Sequence, residues 1–512
     1  MLSVRFVELP YHRGIRGFVA LGGVCGLLAA CTVGPDFTTP QAPVGGYTRE
    51  AVPAGTAGVA GTAGAAQAFA IGRDIPGEWW TLFHSKMIDA LVKEAVANHP
   101  DVAAGQAALR AARENALAEQ GALLPQASLS GSQQRMGVSP AQSGLRGPGS
   151  VFDLSGTSVS VSYALDVFGG ERRKIEGLEA AADLQRHELE ATLLSLTANV
   201  VNTLVTDASL RAQIAATNDI IRSETEQLDL LRRQFQLGAV AQTDVLLQES
   251  NLAQAKSGLP ALEKQFAQNR NQLMAYLGRL PSEDRGEHVS LAELKLPGRL
   301  PLSLPSAMVR QRPDVAAAEA TLHQSNAQIG VATANMLPKL NLSASWGSQA
   351  LSPAELFGAN TAAWSLASSV SQPIFQGGTL FHDREAAIAQ RDRAAAQYRS
   401  TVIKAFQNVA DALRAIQADA KALAAQTEAE AAASRSLEIA RSQYKTGGTT
   451  WTTVLTADQT YQNARIARVK AQAQRFSDTT ALIQALGGGW WNRIDETREA
   501  EPRTVREALG AD

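Results

Sequence analysis

Two hydrophobic periods divide this chain. From Glu171 to Leu237 there is no proline, and Ile175, Leu178, Ala182, Leu189, Leu193, Leu196, Val200 and Leu204 recur at steps of three, four or seven, the spacing of a helix with one apolar stripe. Tyr398, Val402, Ala405, Val409, Leu413, Ile416, Ala420 and Leu423 repeat the pattern in a second run, with no proline between Pro373 and Pro502. These spacings predict long helices over 171–237 and 383–446, each about 100 Å long at about 1.5 Å per residue. A glycine-containing turn and a returning helix, 243–278 or 452–486, follow each of them. A narrow stripe on so long a helix is buried only against other helices, so the expectation is a long coiled bundle. Pro260, in "SGLPALEK", should bend or interrupt the first returning helix.

The second period is two. In "SVSVSYALDVFGG", Ser158 to Gly170, Val159, Val161, Tyr163, Leu165 and Val167 alternate with Ser158, Ser160, Ser162, Ala164 and Asp166, which puts the two sets on opposite faces of a strand. Weaker versions give four strands in all, about 126–137, 157–168, 339–348 and 362–375, with Trp346 and Trp364 available for an aromatic belt. One face suits lipid and the other water, the pattern of a transmembrane β-barrel; the alternative is a soluble sandwich with the apolar face as core. A bilayer accepts only closed sheets, and four strands cannot close. Two copies would supply eight and three would supply twelve, and only the larger barrel leaves a lumen wider than its own side chains.

The chain also repeats itself. "PDVAAGQAAL" from Pro100 returns as "PDVAAAEATL" from Pro313, 213 residues on, and "LLPQASLSGS" from Leu123 as "MLPKLNLSAS" from Met336. "RQFQLGAVAQTDVL" from Arg233 returns more loosely as "SQYKTGGTTWTTVL" from Ser442, 209 residues on. A first repeat over 76–293 and a second over 306–489 are therefore expected, joined by a Pro-rich linker, 294–305, and followed by a polar tail, 490–512. A repeat of this size changes the reading of the whole fold.

Before the first repeat, Arg5, Arg13 and Arg16 precede the apolar run "GFVALGGVCGLLAA", an export signal too short to span a bilayer. It ends in "LAAC", where cleavage between Ala30 and Cys31 would leave Cys31 as an acylated N-terminus, as in bacterial lipoproteins; the plainer reading is an ordinary signal with a chance cysteine. Residues 31–75, rich in Gly, Ala, Thr and Pro, cannot bury a core and read as an extended tether; folding should begin near "EWWTLF", with Trp79, Trp80 and Phe83. With 47 Lys plus Arg against 49 Asp plus Glu, no basic field recommends a nucleic-acid partner. The only other cysteine, Cys25, lies in the signal, which leaves no disulfide or thiolate metal site. The seven histidines show no metal-ligand spacing, and His382-Asp383-Glu385 reads as a solvated first helical turn. With no phosphate loop or nucleophile elbow either, no catalytic residues, cofactor or metal are expected, and the protein is not expected to be an enzyme.

Taken in order, "CTVGPDF", "WW", "YALDVFGG", "RQFQLGAVAQTDVLLQES", "RPDV", "MLPKLNLSAS", "QPIFQGG" and "SQYKTGGTTWTTVLTADQ" resemble the outer-membrane efflux factors, the TolC-like and NodT-like lipoproteins of tripartite pumps. The resemblance runs from Cys31 to about Gly489. It implies a mainly α protein with transmembrane β structure: a homotrimer with a twelve-stranded outer-membrane barrel, four strands from each chain, continued by a helical tunnel through the periplasm. The implied partners are a periplasmic adaptor and an inner-membrane transporter, commonly of the resistance-nodulation-division class, with membrane lipid held through Cys31. It also implies that the two turns, Leu237-Gly238-Ala239-Val240-Ala241 and Thr446-Gly447-Gly448-Thr449-Thr450-Trp451, form the tip where the adaptor docks; as helix-ending glycines, Gly238 and Gly447 are equally explained as caps. In relatives a bulky apolar residue and an acid one turn later narrow the entrance. Thr452 and Thr456 stand at those places, so either the ring is weaker or Trp451 or Asp458 takes over. A periplasmic coiled-coil scaffold or adaptor without a channel is the competing function.

Overall fold

The computed structural model of the chain describes residues 32–43, 45–50, 53–59, 64–144 and 146–493. The signal segment 1–30, the cleavage pair Ala30 and Cys31, and the tail from 494 onward lie outside the described residues. The helices are α1 (Lys86–Asn98), α2 (Pro100–Gln120), α3 (Gly170–Gln236), α4 (Gln242–Tyr276), α5 (Pro305–Gln311), α6 (Pro313–Ala334), α7 (Thr379–Lys445) and α8 (Trp451–Ala485). The strands are β1 (Ala68–Ile71), β2 (Gln126–Val138), β3 (Ser150–Leu165), β4 (Arg299–Leu302), β5 (Lys339–Ala350) and β6 (Ala362–Ser371). In each half a strand pair precedes a 67-residue helix, a turn and a 35-residue helix.

The chain divides into two compact units. One takes Arg110–Asp183 and Glu319–Gln397 with the described residues up to Thr39; the other takes Pro40–Leu109, Leu184–Ala318 and the chain from Tyr398 onward.

The first unit holds an antiparallel sheet in the order β2-β3-β5-β6. Its register sorts the side chains by chemistry. Leu129, Val159, Trp346 and Trp364 form one cross-strand row, and Ala127, Val161, Ala344 and Leu366 another on the same face. Ser128, Ser160, Ser345 and Ser365 form a row on the opposite face, where Ser130 bonds Ser158 at 3.0 Å and Ser345 bonds Ser365 at 2.8 Å through their hydroxyls. A soluble sandwich would cover the apolar rows, but Leu129 is 77 % and Trp364 75 % exposed. No other described element of the chain covers this face.

Strand ends depart from the sequence expectation. Strand β3 starts at Ser150, well before 157, because its hairpin with β2 continues as far as Val138 paired with Ser150. It stops at Leu165, so Val167 and Asp166 lie beyond the strand. Asp166 instead caps α3, accepting hydrogen bonds from the backbone N–H of Glu171 (3.1 Å) and Arg172 (3.0 Å), where a carboxylate satisfies orphan donors and the helix dipole. Strand β6 stops at Ser371, short of 375, since Pro373 has no N–H to continue a ladder.

The second unit contains the main core. Trp79 and Phe83 meet edge to face at 6.4 Å, Phe83 packs on Phe476 at 6.0 Å, and Leu204, Leu273 and Leu482 close around them. The stretch 31–75, expected as an extended tether, is fastened to the rest of the chain at several described residues. Residues 68–71 form β1, which pairs in parallel with β4 from the Pro-rich linker, and the Tyr47 hydroxyl donates to the Ser303 carbonyl at 2.8 Å. In the first unit Arg173 donates to the Val33 and Gly34 carbonyls and to Asp36, and Phe37 stacks on His323 at 4.2 Å. The segment is held by backbone hydrogen bonds, by side-chain bonds such as those of Arg173 and Gln67, by single rings, and by Ile75, which is fully buried in the main core. Pro260, expected to bend or interrupt the helix, does not interrupt it: it lies inside a continuous α4. The carbonyl it frees belongs to Lys256, which is exposed, so water can satisfy it.

Candidate functional site

The two long hairpins, α3–α4 and α7–α8, turn in the same way. In the first, Gly238 N–H donates to the Phe235 carbonyl and Ala239 N–H to the Gln234 carbonyl, both at 2.9 Å; in the second, Gly447 donates to Tyr444 (3.1 Å) and Gly448 to Gln443 (2.8 Å). Gly238 and Gly447 have φ of +72° and +75°, the left-handed conformation that closes a helix with such a bond pair and that a side chain would strain. At the first turn Leu237 is 84 % exposed, Gly238, Ala239 and Ala241 are exposed and Val240 is half-buried. At the second, Thr446, Gly447, Gly448 and Thr450 are exposed and Thr449 is half-buried.

The candidate gate residues separate into two groups. Thr452 and Thr456 lie on the exposed face of α8, each turn closed on itself: the Thr456 hydroxyl donates to the Thr452 carbonyl at 2.9 Å, and Thr460 repeats the bond to Thr456 at 2.7 Å. Trp451 and Asp458 face inward. Trp451 meets Tyr444 edge-on at 5.0 Å and packs with Leu231, Val245, Leu437, Val454 and Leu455 in a small core that joins the hairpins.

Asp458 belongs to a buried polar cluster that the sequence reading missed. Its Oδ1 accepts from Arg441 Nη2 of α7 at 2.8 Å. Gln462 Nε2 donates to Asp458 Oδ2 and also to Glu224 Oε1 of α3, the latter at 2.9 Å. Gln248 Nε2 of α4 donates to the Glu224 carboxylate and to its backbone carbonyl. Glu224 and Asp458 are 2 % and 3 % exposed. Burial first, and then the Asp458 carboxyl beside it, push the Glu224 carboxyl up to about 7. A signal was available: Glu224 falls between Ile220 and Leu228, and Gln248 between Val245 and Leu252, on otherwise apolar stripes.

Among the described residues no three His, Cys, Asp or Glu side chains are grouped to hold a metal. Nor is any described helix long and apolar enough to cross a membrane.

The profile of the outer membrane efflux protein family matches residues 91–279 and 304–488. The pyoverdine export outer membrane protein OpmQ of Pseudomonas putida (strain KT2440) is 30 % identical over 424 residues, covering 80 % of this chain and 88 % of OpmQ. The probable efflux pump outer membrane protein TtgC of the same strain is 26 % identical over 485 residues, covering 94 % of this chain and 98 % of TtgC. Among solved structures, the outer-membrane channel OprN superposes with a TM-score of 0.81 at 24 % identity, covering 90 % of this chain and all of OprN, which is the same fold. With a profile that covers both halves, exposed apolar strands and paired long hairpins, the chain belongs to the outer membrane efflux protein family.

Proposed function

We propose that the protein is the outer-membrane exit duct of an export pump: a trimer whose strands close into one twelve-stranded barrel and whose helices form a tunnel that receives cargo from a periplasmic adaptor and an inner-membrane transporter. The observation that carries this reading is the sheet. Edges β2 and β6 have no neighbour within the described chain, and its apolar rows are open. Unpaired edges are not tolerated in a bilayer, so β6 of one copy must pair with β2 of the next. Strands of 13, 16, 12 and 10 residues meet the roughly 9–11 residues needed to cross. Trp346 and Trp364, neighbours in one row, suit an interfacial belt.

The Ser rows would then line the pore, and acylation of Cys31 would add an anchor in the same membrane. Leu237 to Ala241 and Gly447 to Thr450 are the proposed adaptor contacts; Trp451, expected among them, is buried in the core between the hairpins and is not available to a partner. Thr452 and Thr456, exposed where Trp451 and Asp458 are buried, are the better candidates to narrow the entrance. A scaffold without a channel has no use for an exposed apolar sheet, and the relatives' printed names, an export protein and an efflux pump component, favour the duct. Such a duct passes what its inner partner delivers.

Outer-membrane fractions from cells expressing the full chain test this. The expected result is a heat-modifiable complex of three copies that conducts ions in planar bilayers, with loss of export when the gene is deleted. A monomer released once its lipid is removed, with no conductance, would overturn it.

A further inference from the structure

The cluster around Glu224 joins all four helices of the two hairpins, and its charges do not balance. Two buried carboxyls, one from each hairpin, share the single Nε2 of Gln462, while one guanidinium, Arg441, bonds only Asp458 and, at 3.4 Å, the Ser223 hydroxyl. The other nearby charges are engaged elsewhere. On α3, Asp219 pairs with Arg222 and with Arg465 of α8; on α4, Glu249 pairs with Arg232. Lys470 of α8 lines the same pocket wall as Glu224 without bonding it. The Gln248 side chain, fully buried, has an Oε1 with no donor. With both carboxyls ionised the cluster holds two nearly buried negative charges against one positive, half-exposed one. With one proton it is neutral, and the proton can bridge the two carboxyls.

We propose that Glu224 and Asp458 form a proton-operated latch between the two hairpins of each protomer, closed when the pair holds a proton and loosened when both carboxyls are charged. It rests on the reading of these hairpins as the entrance of an export channel, and it adds what regulates them. The direction follows from linkage. The closed arrangement raises the affinity of Glu224 for its proton, from the ordinary 4.5 to about 7. Closure is therefore fully supported below the ordinary carboxylate range, and that support is lost as pH rises through about 7. A single proton of this kind changes the closed-to-open ratio by roughly tenfold per pH unit between the two values.

The test is a distance measurement between spin labels at Ala239→Cys and Thr449→Cys in the full chain, solubilised from the outer membrane, across pH 5 to 8.5. The expected result is a separation that widens with pH, with the change falling between the ordinary carboxylate value and about 7 and complete above it. Glu224→Gln, which keeps the shape and never ionises, should hold the acid distance at every pH. Asp458→Asn, which removes the partner carboxyl, should move the transition to lower pH. A Glu224→Gln protein that still widens, an unmoved transition in Asp458→Asn, or a wild-type separation that ignores pH would each overturn the latch. Conductance of the same samples keeps the two readings apart. Widening without any conductance retains the latch and removes the channel, whereas conductance with no change in separation removes the latch alone.

Discussion

Hairpins α3–α4 and α7–α8 have the same helix lengths, 67 and 35 residues, and turn through the same pair of backbone hydrogen bonds, yet they present different surfaces. Both expose an apolar residue at one matched place, Leu230 and Ile439, but the first alone adds Phe235, Leu237, Leu246 and Leu247. The second exposes Thr446, Thr450, Thr452, Thr453 and Thr456 in the matching region. Counting 209 residues on, Gln242, the exposed first residue of α4, becomes Trp451, which is buried against Tyr444. Backbone geometry needs only a glycine in the left-handed position, so the side chains around it are free to diverge. One hairpin offers an apolar surface to a partner, and the other sends its aromatic residue inward to hold the pair together.

Trp451→Ala breaks the comparison most severely. Truncating a buried Trp costs about 3–5 kcal/mol, and here it empties the small core that joins the hairpins. Thermal unfolding should start earlier and protease should cut near 446–450 first. Gln242→Ala, at the equivalent place, should stay within about 0.5 kcal/mol. Equal melting shifts in the two variants would show that the packing asymmetry carries no weight. A smaller effect, on binding instead of folding, is expected when Leu237, Leu246 and Leu247 are changed together to Ser. If docking buries only part of each Leu, contributing about 0.5–1 kcal/mol apiece of the full 1.5–3 kcal/mol, adaptor affinity measured by surface plasmon resonance should fall by about tenfold or more while the melting curve stays put. Thr449→Ser with Thr453→Ser should leave affinity within about twofold; a comparable loss from the threonine pair would make the two tips equivalent partners.

Much of this was legible in the sequence, for physical reasons that differ between elements. Strict alternation in "SVSVSYAL" reports a two-faced strand because side chains alternate by geometry alone, and the glycines of the turns report themselves because no other residue adopts their φ cheaply. Leu178 and Leu193 marked α3 through period, a local property. What stayed hidden depends on partners far along the chain. Strand β1, "AFAI", has no pattern of its own and exists because β4 lies beside it. Asp166 looked like one more strand position, and only the start of α3 makes it a cap. Glu224, Gln248, Arg441 and Gln462 come from four helices, so their charge count appears only when those helices are packed. Pro260 breaks a propensity rule without breaking the helix, because the position is on the wet side.

The smallest expected change in stability comes at Thr456, and it bears most directly on the entrance. Thr456 is exposed, and its hydroxyl bonds only the Thr452 carbonyl of its own helix, so Thr456→Asp should shift unfolding by less than about 0.5 kcal/mol. If the exposed threonine face of α8 lines the entrance, three copies of the variant place three carboxylates around one constriction. They would attract cations and repel anions over roughly a Debye length of 8–10 Å. The ratio of cation to anion current in planar bilayers should then rise, and more at low salt than at high salt. Asp458→Asn offers the contrast, because that carboxyl points into the protomer and is met by Arg441; its removal should leave the ratio unchanged. An unchanged ratio in Thr456→Asp would mean that the threonine face looks toward a neighbouring copy or the outside. An altered ratio in Asp458→Asn alone would return the entrance to the inward-facing residues.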